Sequence, residues 1–543
     1  MTRRRTYLIA LVIFAVTFGY FLSYSRYGLA YDEGYLLDGV EKIMEGQVIY
    51  RDFHHTYAPG RFYLVAAAFE VFGKNILVER VLFALLQAVK CGLAFLIVRA
   101  IVRSGFAYLA PVLIMIAPGP WHKVFFSSLG FLAAYAVMRS IHRGLKYIVL
   151  GGAIVGLCAL FRQDVAGVAV IGGVAGMLLR QLDRREGFSV LVSRLACLLA
   201  GLAIVIVPVV LYFHAQGALG PMVHKITRDG MMDNMTNRIP YPGLAARAGV
   251  DSQYLGYVLP VRLLFYVPFV AYVLAAVLII KNFVTPGSGR RLTDLVVVTI
   301  VSVLAFNQSV WRSDIGHLLQ TMQYVYLLVP IILGSVYSFL TSRVVRGPGR
   351  RWVLKGGLVL AGPVLLFWAV YGCTMGSTDS RAAARFAREG ISIGDTEYTG
   401  SVLLRIGNDT NLDLERAPVY VRQAEAGFFT ALKSYLDAHT SPGEYVLAVP
   451  QLQMIYFLFD RKNPTRYAHY RRALEPAEED RYIEDIESHG TNYILLTEPF
   501  EGARLGQTKE AFSQYGARVR EWILENYIEV DRIGSVKILR RRT

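Results

Sequence analysis

Two adjacent carboxylates stand at the start of a polar segment that follows the first apolar stretch of the chain. Asp32 and Glu33 open the sequence YDEGYLLDGVEKIM, whose apolar residues recur at helical spacing. A carboxylate beside an apolar surface is partly desolvated, which favours acceptance of a proton from a hydroxyl. Acidic residues also suit the first turn of a helix, where they complement its dipole. The dipeptide alone therefore indicates either a general base or a helix start.

A second polar cluster follows in the sequence YRDFHHTY. Its candidate functional residues are Arg51, Asp52, His54, His55 and Tyr57. Adjacent histidines on a strand point to opposite faces, which disfavours a dinuclear metal site. One histidine and the aspartate could still bind a cation. The alternative is a set of polar surface residues without a ligand.

Two further motifs, FRQD and WRSDIGH, share an arginine followed two positions later by an aspartate. The residues concerned are Arg162, Asp164, Arg312, Asp314 and His317. Each motif lies at one end of an apolar stretch, where a charge is costly unless it is paired or functional. Guanidinium and imidazole groups are suited to binding a phosphate. Each Arg–Asp pair could equally be a structural ion pair.

The composition indicates a membrane protein. Of 543 residues, 54% are hydrophobic and 18% charged, and the mean hydropathy is +0.40, which excludes an ordinary cytosolic enzyme. The net charge is +16, but residues 1–375 hold 35 basic and 16 acidic residues while residues 376–543 hold 22 and 25. The basic excess therefore lies among the apolar segments and forms no soluble patch. Nucleic acid is not a predicted partner.

The apolar segments predict eleven membrane spans. They cover about 7–25, 79–101, 105–121, 124–140, 147–161, 164–179, 192–213, 258–280, 293–311, 318–342 and 354–374. A cytoplasmic N-terminus places 20 of the 35 basic residues of this part in inner loops, as the positive-inside rule expects. Two long outer loops follow, at about 26–78 and 214–257. The first contains the amphipathic segment, predicted to lie on the membrane, and the second could form a mobile flap.

The predicted fold is a polytopic α-helical membrane protein with a C-terminal extracytoplasmic α/β domain. The domains are residues 1–375, the membrane part, and residues 376–543. In the second, YVLAVP, IYFLFD, NYILLTEPF and SVKILR read as buried strands between helical patterns at about 421–439, 477–489 and 508–527. Neither a phosphate-binding loop nor a dinucleotide fingerprint occurs in the sequence.

Residues 31–80 resemble the first outer loop of family C (GT-C) membrane glycosyltransferases, nearest to the protein O-mannosyltransferase-like and lipid A aminoarabinose transferase-like branches. The resemblance rests on the DE pair, the YRDF segment, the APGRFY segment followed by FG, and Arg80 at the start of the next span. The many-span body and the α/β tail extend the resemblance to most of the chain. This sequence has HHTYAPG where many members have two successive prolines.

The resemblance implies an inverting transferase that uses a polyprenyl-phosphate-linked sugar and an extracytoplasmic acceptor, which could be a glycan, a lipid or a protein. Asp32 would be the catalytic base, and Glu33 would orient the acceptor or help to bind a cation. Arg162, Arg312 and His317 would stabilise the departing lipid phosphate. The resemblance does not imply an obligatory cofactor, and a divalent cation is compatible with the site.

The sequence leaves one competing function, a transporter or flippase for lipid-linked saccharides. Such proteins usually place their polar site near the bilayer midplane on interrupted helices, whereas the candidate charges here lie at the ends of spans. A bacterial inner membrane is the expected location, since the chain carries no eukaryotic retention signal.

Overall fold

The computed structural model describes residues 2–102, 104–229, 238–244, 256, 258–285, 287–345, 347–378, 384–386, 388–389, 391, 402–470, 474–497 and 516–542. The chain divides into two compact units. Unit 1 comprises Met1–Tyr24, Leu82–Leu211 and Arg238–Leu403. Unit 2 comprises Ser25–Val81, Tyr212–Asn237 and Leu404–Thr543. Unit 2 thus combines all of the first predicted outer loop with the C-terminal part of the chain.

Helices dominate the described residues. In chain order the α-helices are α1 (Arg3–Leu22), α2 (Tyr31–Met44), α3 (Gly60–Phe72), α4 (Ile76–Ile101), α5 (Leu109–Ile116), α6 (Val124–Ile141), α7 (Leu145–Ala159), α8 (Gln163–Arg184), α9 (Phe188–Ala215), α10 (Leu219–His224), α11 (Leu259–Phe283), α12 (Gly289–Trp311), α13 (Ile315–Arg343), α14 (Pro348–Thr378), α15 (Gln423–His439), α16 (Met454–Phe459), α17 (Pro476–Ser488) and α18 (Ala517–Asn526).

By length and composition, nine helices of the described residues can cross a membrane: α1, α4, α6 with its preceding turn, α8, α9, α11, α12, α13 and α14. The other two predicted spans correspond to the shorter apolar helices Gly105–Ile116 and Leu145–Ala159. The first of these helices ends at Ile116, ahead of Pro118-Gly119-Pro120, since proline disfavours continuation of a helix. The second has 15 residues and is about 22 Å long. The polytopic helical fold is confirmed.

Glycines allow two helices of unit 1 to approach closely. A Cβ added at Gly152 of α7 would overlap the Leu198 carbonyl oxygen of α9. A Cβ at Gly201 of α9 would overlap the Val149 carbonyl oxygen of α7. Small residues at such contacts let helix backbones pack where apolar burial gives no net driving force between helices.

The apolar face of α2 packs against protein within unit 2. Leu36, Leu37 and Val40 are fully buried, and the helix contacts α3 and α16. A Cβ added at Gly34 would lie 2.6 Å from the Met454 backbone nitrogen. The predicted helix is present, but the prediction that its apolar face meets the membrane was wrong, because α16 and α3 cover that face.

The strands of unit 2 are β1 (Thr410–Asn411), β2 (Tyr420–Val421), β3 (Val446–Val449), β4 (Tyr493–Thr497), β5 (Tyr527–Ile533) and β6 (Val536–Arg541). β1 and β2 pair antiparallel, and the other four form a sheet of order β3-β4-β6-β5. β3 and β4 are parallel, while β6 is antiparallel to both of its neighbours. Residues such as Leu447, Ile494 and Leu539 form a buried core with α17 and α18. The small α/β part is therefore confirmed.

Two local predictions in this part differ from the structure. The predicted strand IYFLFD is helical, as α16, and its residues Met454–Phe459 are all buried. A short run of apolar residues has no periodicity that distinguishes a buried strand from a buried helix. β5 was not among the predicted strands, and only its first residue, Tyr527, falls within the helix predicted at 508–527. The described portion of that helix is α18, and residues 508–515 lie outside the described residues.

The second predicted outer loop is described only in part. Residues 219–224 form α10, and Lys225–Asp229 continue it as one π-helical turn. Most of the predicted flap, residues 230–237 and 245–255, lies outside the described residues.

Candidate active site

Asp32 and Glu33 occupy the first turn of α2. The two residues differ in exposure, since Asp32 is partly exposed whereas Glu33 is fully buried. The Glu33 carboxylate accepts a hydrogen bond of 3.3 Å from the Ala30 backbone N–H, which caps the helix start. The dipeptide therefore combines a helix-start residue, Glu33, with a solvent-accessible carboxylate, Asp32.

A buried ion pair holds Glu33 in place. Arg80 donates from Nε to Glu33 Oε1 at 3.1 Å and from Nη2 to Oε2 at 2.6 Å. The same guanidinium donates to the carbonyl oxygens of Ser25 and Gly28 at 2.8 and 2.9 Å. Both side chains are buried, at 0% and 1% exposure. Arg80 thus joins the start of α2 to the chain that enters it, which fixes the backbone position of Asp32.

The pair Arg51–Asp52 lies at the surface of unit 2. Arg51 Nε and Nη2 each donate to an Asp52 carboxylate oxygen at 2.8 Å. This bidentate contact with Arg51 lowers the pKa of Asp52 below its usual value. The Val48 N–H also donates to Asp52 at 2.7 Å. These contacts occupy the carboxylate in a local turn.

His54 and His55 are held in separate environments. The His55 ring lies 4.0 Å from the Tyr35 ring, and its Nδ1 accepts from the Tyr57 N–H at 3.3 Å. The His54 backbone N–H donates to the Arg466 carbonyl oxygen, and its ring lies 4.5 Å from that of Tyr467.

Burial determines the charge of both imidazoles. Burial, reinforced by the positive charges of Lys225 and Arg466, lowers the pKa of His54 to about 3. Burial and Arg61 lower the pKa of His55 well below its usual value. Both rings are therefore neutral near pH 7. The Tyr57 ring, for its part, lies 4.1 Å beneath the Arg61 guanidinium.

The structure gives no support to a cation site in this region. No group of three or more His, Cys, Asp or Glu side chains with metal-binding geometry occurs among the described residues. Asp52 is bound by Arg51, and Glu33 by Arg80. We therefore derive no chemical step through a metal ion.

Within unit 1, Arg162 and Asp164 form a bidentate pair at the start of α8. Arg162 Nε and Nη2 donate to the two carboxylate oxygens at 3.0 and 2.6 Å. The Arg162 guanidinium also lies 4.8 Å above the Phe126 ring. The Arg–Asp ion pair that FRQD indicates is therefore present in the structure.

The second motif lies between α12 and α13. Arg312 Nε donates to Asp314 Oδ2 at 2.8 Å, and His317 Nδ1 lies 2.9 Å from both carboxylate oxygens. Asp314 also caps α13 by accepting from the His317 backbone N–H. Burial alone would raise the pKa of Asp314, but His317, Arg312 and Lys123 hold it well below its usual range.

Lys123 and Gln308 complete this arrangement and were not among the predicted site residues. Lys123 Nζ lies 3.1 Å from His317 Nε2. The Gln308 side-chain amide donates to Asp164 at 3.3 Å, and its backbone carbonyl oxygen accepts from the Arg312 backbone N–H at 3.1 Å, so Gln308 links the two motifs. The predicted topology could have identified Lys123, because it precedes the span at 124–140 on the same side as FRQD.

We call this set of unit 1 residues the basic cluster: Lys123, Arg162, Asp164, Gln308, Arg312, Asp314 and His317. Its three permanent cations and two carboxylates leave one positive charge. Its residues lie at the starts of α6, α8 and α13 and the end of α12. The charges therefore stand at the ends of these helices rather than at their middles.

No protein-family model matches the chain, and no curated protein sequence matches significantly. The crystal structure of ArnT from Cupriavidus metallidurans bound to undecaprenyl phosphate aligns with a TM-score of 0.52 at 14% identity, over 98% of this chain and 97% of ArnT. The apo state of the same protein gives 0.51 at 12% identity, over 98% and 96%.

The oligosaccharyltransferase of Archaeoglobus fulgidus, crystallised with Zn and sulfate, aligns with a TM-score of 0.44 at 12% identity, over 90% of this chain and 67% of that protein. The alignments with ArnT extend over almost the whole length of both proteins. The chain is thus a multi-pass membrane protein with the fold of ArnT, which is the GT-C fold that the resemblance of residues 31–80 implied.

Proposed function

We propose that this protein is a glycosyltransferase that moves a sugar from a polyprenyl-phosphate donor to an extracytoplasmic acceptor, with inversion at the anomeric carbon. Asp32 is the general base in this proposal. The observation that carries the donor class is the basic cluster, in which three cations meet two carboxylates. Its single excess positive charge matches the single negative charge of a phosphodiester such as a sugar–phosphate–lipid donor.

The proposed reaction is a single displacement. The acceptor hydroxyl gives its proton to the Asp32 carboxylate while its oxygen bonds to the anomeric carbon. The bond from that carbon to the phosphate oxygen breaks, and its electron pair leaves with the polyprenyl phosphate. Asp32 then returns the proton to water. Attack opposite the leaving group inverts the anomeric carbon, and general-base assistance accounts for a factor of about 100 to 10,000 in rate.

The leaving phosphate gains a second negative charge as the bond breaks. In the proposal Arg162, Arg312 and Lys123 stabilise this charge, since positioned cations stabilise a transition state where charge develops. Asp164 and Asp314 hold the two guanidinium groups by hydrogen bonds of 2.6 to 3.0 Å. A preorganised guanidinium loses little conformational freedom when phosphate binds.

The shared fold supports the same donor class. ArnT was crystallised with undecaprenyl phosphate, and its alignment spans 98% of this chain. We extend that ligand class to this protein as part of the proposal. Glycans, lipids and proteins remain the candidate acceptors, and the location proposed is the bacterial inner membrane. In this proposal residues 1–375 carry the reaction and residues 376–543 lie outside the cytoplasm.

We assign Glu33 a positioning role. Its carboxylate is fully buried and is bound by Arg80 and the Ala30 N–H. A carboxylate so engaged is poorly available to an acceptor or a cation. Glu33 therefore acts through the backbone of α2 on Asp32, which replaces its sequence-based assignment to acceptor or cation binding.

The test is a transfer assay with purified protein in lipid nanodiscs. It uses a panel of polyprenyl-phosphate monosaccharides and measures sugar release and the anomeric configuration of the product. We expect one donor to be consumed with inversion. Retention of configuration would contradict the single displacement. If labelled donor instead crosses proteoliposome membranes unchanged and no sugar is released, the protein is a transporter and the proposal fails.

A further inference from the structure

A cavity of about 950 Å³ lies within unit 1, among the ends of α1, α4, α6, α12 and α13. Five arginines line it: Arg3, Arg99, Arg139, Arg290 and Arg291. Neither aspartate nor glutamate is found among the described residues of its wall. The cavity is therefore open but strongly positive, unlike the basic cluster, where carboxylates neutralise most of the charge.

The cavity and the basic cluster occupy opposite ends of the same helices. α12 runs from Arg290 and Arg291 at the cavity to Arg312 at the cluster. That length of helix corresponds to about 32 Å, the thickness of a hydrocarbon core. The cavity is thus a separate site, on the side that the positive-inside rule assigns to the cytoplasm.

The arginines of the cavity lack carboxylate partners. Among the described residues, Arg99 bonds only the Val102 carbonyl oxygen, at a long 3.4 Å. Arg139 has a buried Nε with no hydrogen-bond partner in that part of the chain. The Tyr7 and Tyr135 hydroxyls lie 3.2 Å apart, and only one of their two hydrogens is used between them. The cavity therefore offers several hydrogen-bond donors that a bound anion could accept from.

We propose that this cavity binds a phosphate-bearing anion, either the headgroup of an anionic phospholipid or a soluble polyphosphate. Arginines pair with phosphate through two parallel N–H donors each, so five of them can surround a phosphodiester headgroup or a ligand with several phosphate groups. Basic pockets between spanning helices on the cytoplasmic side commonly receive lipid headgroups. The site is independent of glycosyl transfer.

Arginines at the C-terminus of a helix have an explanation that needs no ligand, since a cation there complements the helix dipole. That role explains Arg99 and Arg139, which lie in the last turns of α4 and α6. It does not explain Arg290 and Arg291, which lie at the N-terminus of α12, where a positive charge is unfavourable. The Asp183 carboxylate lies close to the Gly289 backbone and offsets part of that cost, and an anion in the cavity would offset more of it.

The test measures binding to the purified full-length protein by native mass spectrometry. The probes are phosphatidylglycerol, the neutral phosphatidylcholine, and inorganic tripolyphosphate as the soluble competitor. The cavity variant is Arg139→Gln with Arg291→Gln. Its matched control is Arg343→Gln with Arg350→Gln, which removes the same charge outside the cavity. Arg343 is exposed at the end of α13, and Arg350 is exposed at the start of α14.

We expect the cavity variant to lose about thirtyfold in affinity, because each arginine beside an anionic headgroup contributes a factor of roughly five. The control variant should stay within about threefold of the wild type. Loss of phosphatidylglycerol binding alone identifies a lipid headgroup, and loss of tripolyphosphate binding alone identifies a soluble anion.

Equal binding by wild type and cavity variant, or equal losses in cavity and control variants, would overturn the proposal. Arg290→Gln serves as a second variant if the double substitution prevents folding. Arg290 is exposed and makes no hydrogen bond or ion pair within the described residues, so its loss should weaken phosphate binding without affecting folding.

Discussion

At the scale of single residues, the neighbours Asp32 and Glu33 have different surroundings although they share a chemical type. The sequence predicted a base and a helix start as alternatives, and the structure places a helix start there in which Glu33 is the buried partner of Arg80. Sequence spacing could not reveal this pair, because the two residues are 47 positions apart. Asp32 is partly exposed, as its proposed role of general base requires.

The buried pair leads to a prediction about stability. Glu33→Gln removes the carboxylate that binds the buried Arg80 guanidinium, and should lower the free energy of unfolding by about 3 kcal/mol. Asp52→Asn is the matched control, since it breaks a bidentate arginine–aspartate pair at the surface of the same unit. Thermal unfolding of both variants in detergent checks this. Equal losses would show that the ion pair contributes nothing specific.

The neutral histidines lead to a prediction about pH. The folded protein keeps His54 neutral down to about pH 3, whereas an unfolded histidine takes up a proton near pH 6.5. The unfolded state therefore binds more protons between these values, and stability should fall as the pH drops below 6.5. His54 contributes about 1.4 kcal/mol per pH unit to that slope.

The measurement is the thermal midpoint at several values between pH 6.5 and pH 5. His54→Gln should flatten the dependence, and the same substitution at the exposed His439 should leave it unchanged. An identical slope in wild type and His54→Gln would contradict the assignment of a neutral, buried imidazole.

At the scale of elements, α2 shows what periodicity can and cannot predict. Its helical spacing identified the helix, but an amphipathic pattern indicates only that one face of the helix is buried, and does not indicate what buries it. The covering elements, α3 and α16, are fixed by contacts far along the chain. IYFLFD was predicted as a strand because its five consecutive apolar residues have no period that distinguishes a strand from a helix. The structure shows a helix there, packed against α2.

The close approach of α2 and α16 can be tested at Gly34. A methyl group there would meet the Met454 backbone nitrogen and Cα at 2.6 and 2.7 Å. Gly34→Ala should cost about 1–3 kcal/mol of stability, the usual cost of overpacking, and slow transfer by moving Asp32. The control is Gly427→Ala in α15, where nothing lies within 4 Å and alanine favours the helix. A silent Gly34→Ala would contradict the proposed link between α2 packing and Asp32.

At the scale of the whole molecule, composition predicted the membrane spans and the α/β region well. The hydropathy of a span is averaged over about 20 residues, so an error at one or two positions does not change the prediction that a long apolar helix is present. Composition could not predict that residues 25–81 join the C-terminal part in one compact unit. The basic cluster was predicted in part, since FRQD and WRSDIGH were identified by type. The predicted topology placed Lys123 on the same side of the membrane, but its contact with His317 and that of Gln308 with Asp164 are tertiary contacts.

The orientation of the chain remains a prediction with a direct test. We expect a C-terminal alkaline phosphatase fusion to be active and a C-terminal green fluorescent protein fusion to be dark, since the positive-inside rule places residues 376–543 outside the cytoplasm. Fusions after Arg185, in a predicted inner loop, should give the opposite result. A fluorescent C-terminal fusion would reverse the topology and would place the arginine-lined cavity outside.

The most direct test of the central claim is the transfer rate of Asp32→Asn with the donor that the panel identifies. Asparagine keeps the shape of the side chain but cannot accept the hydroxyl proton, so the rate should fall by about 100-fold or more. Asp409→Asn, an exposed aspartate in the same unit, should retain the wild-type rate. Full activity of Asp32→Asn in a folded protein would contradict the assignment of Asp32 as the base.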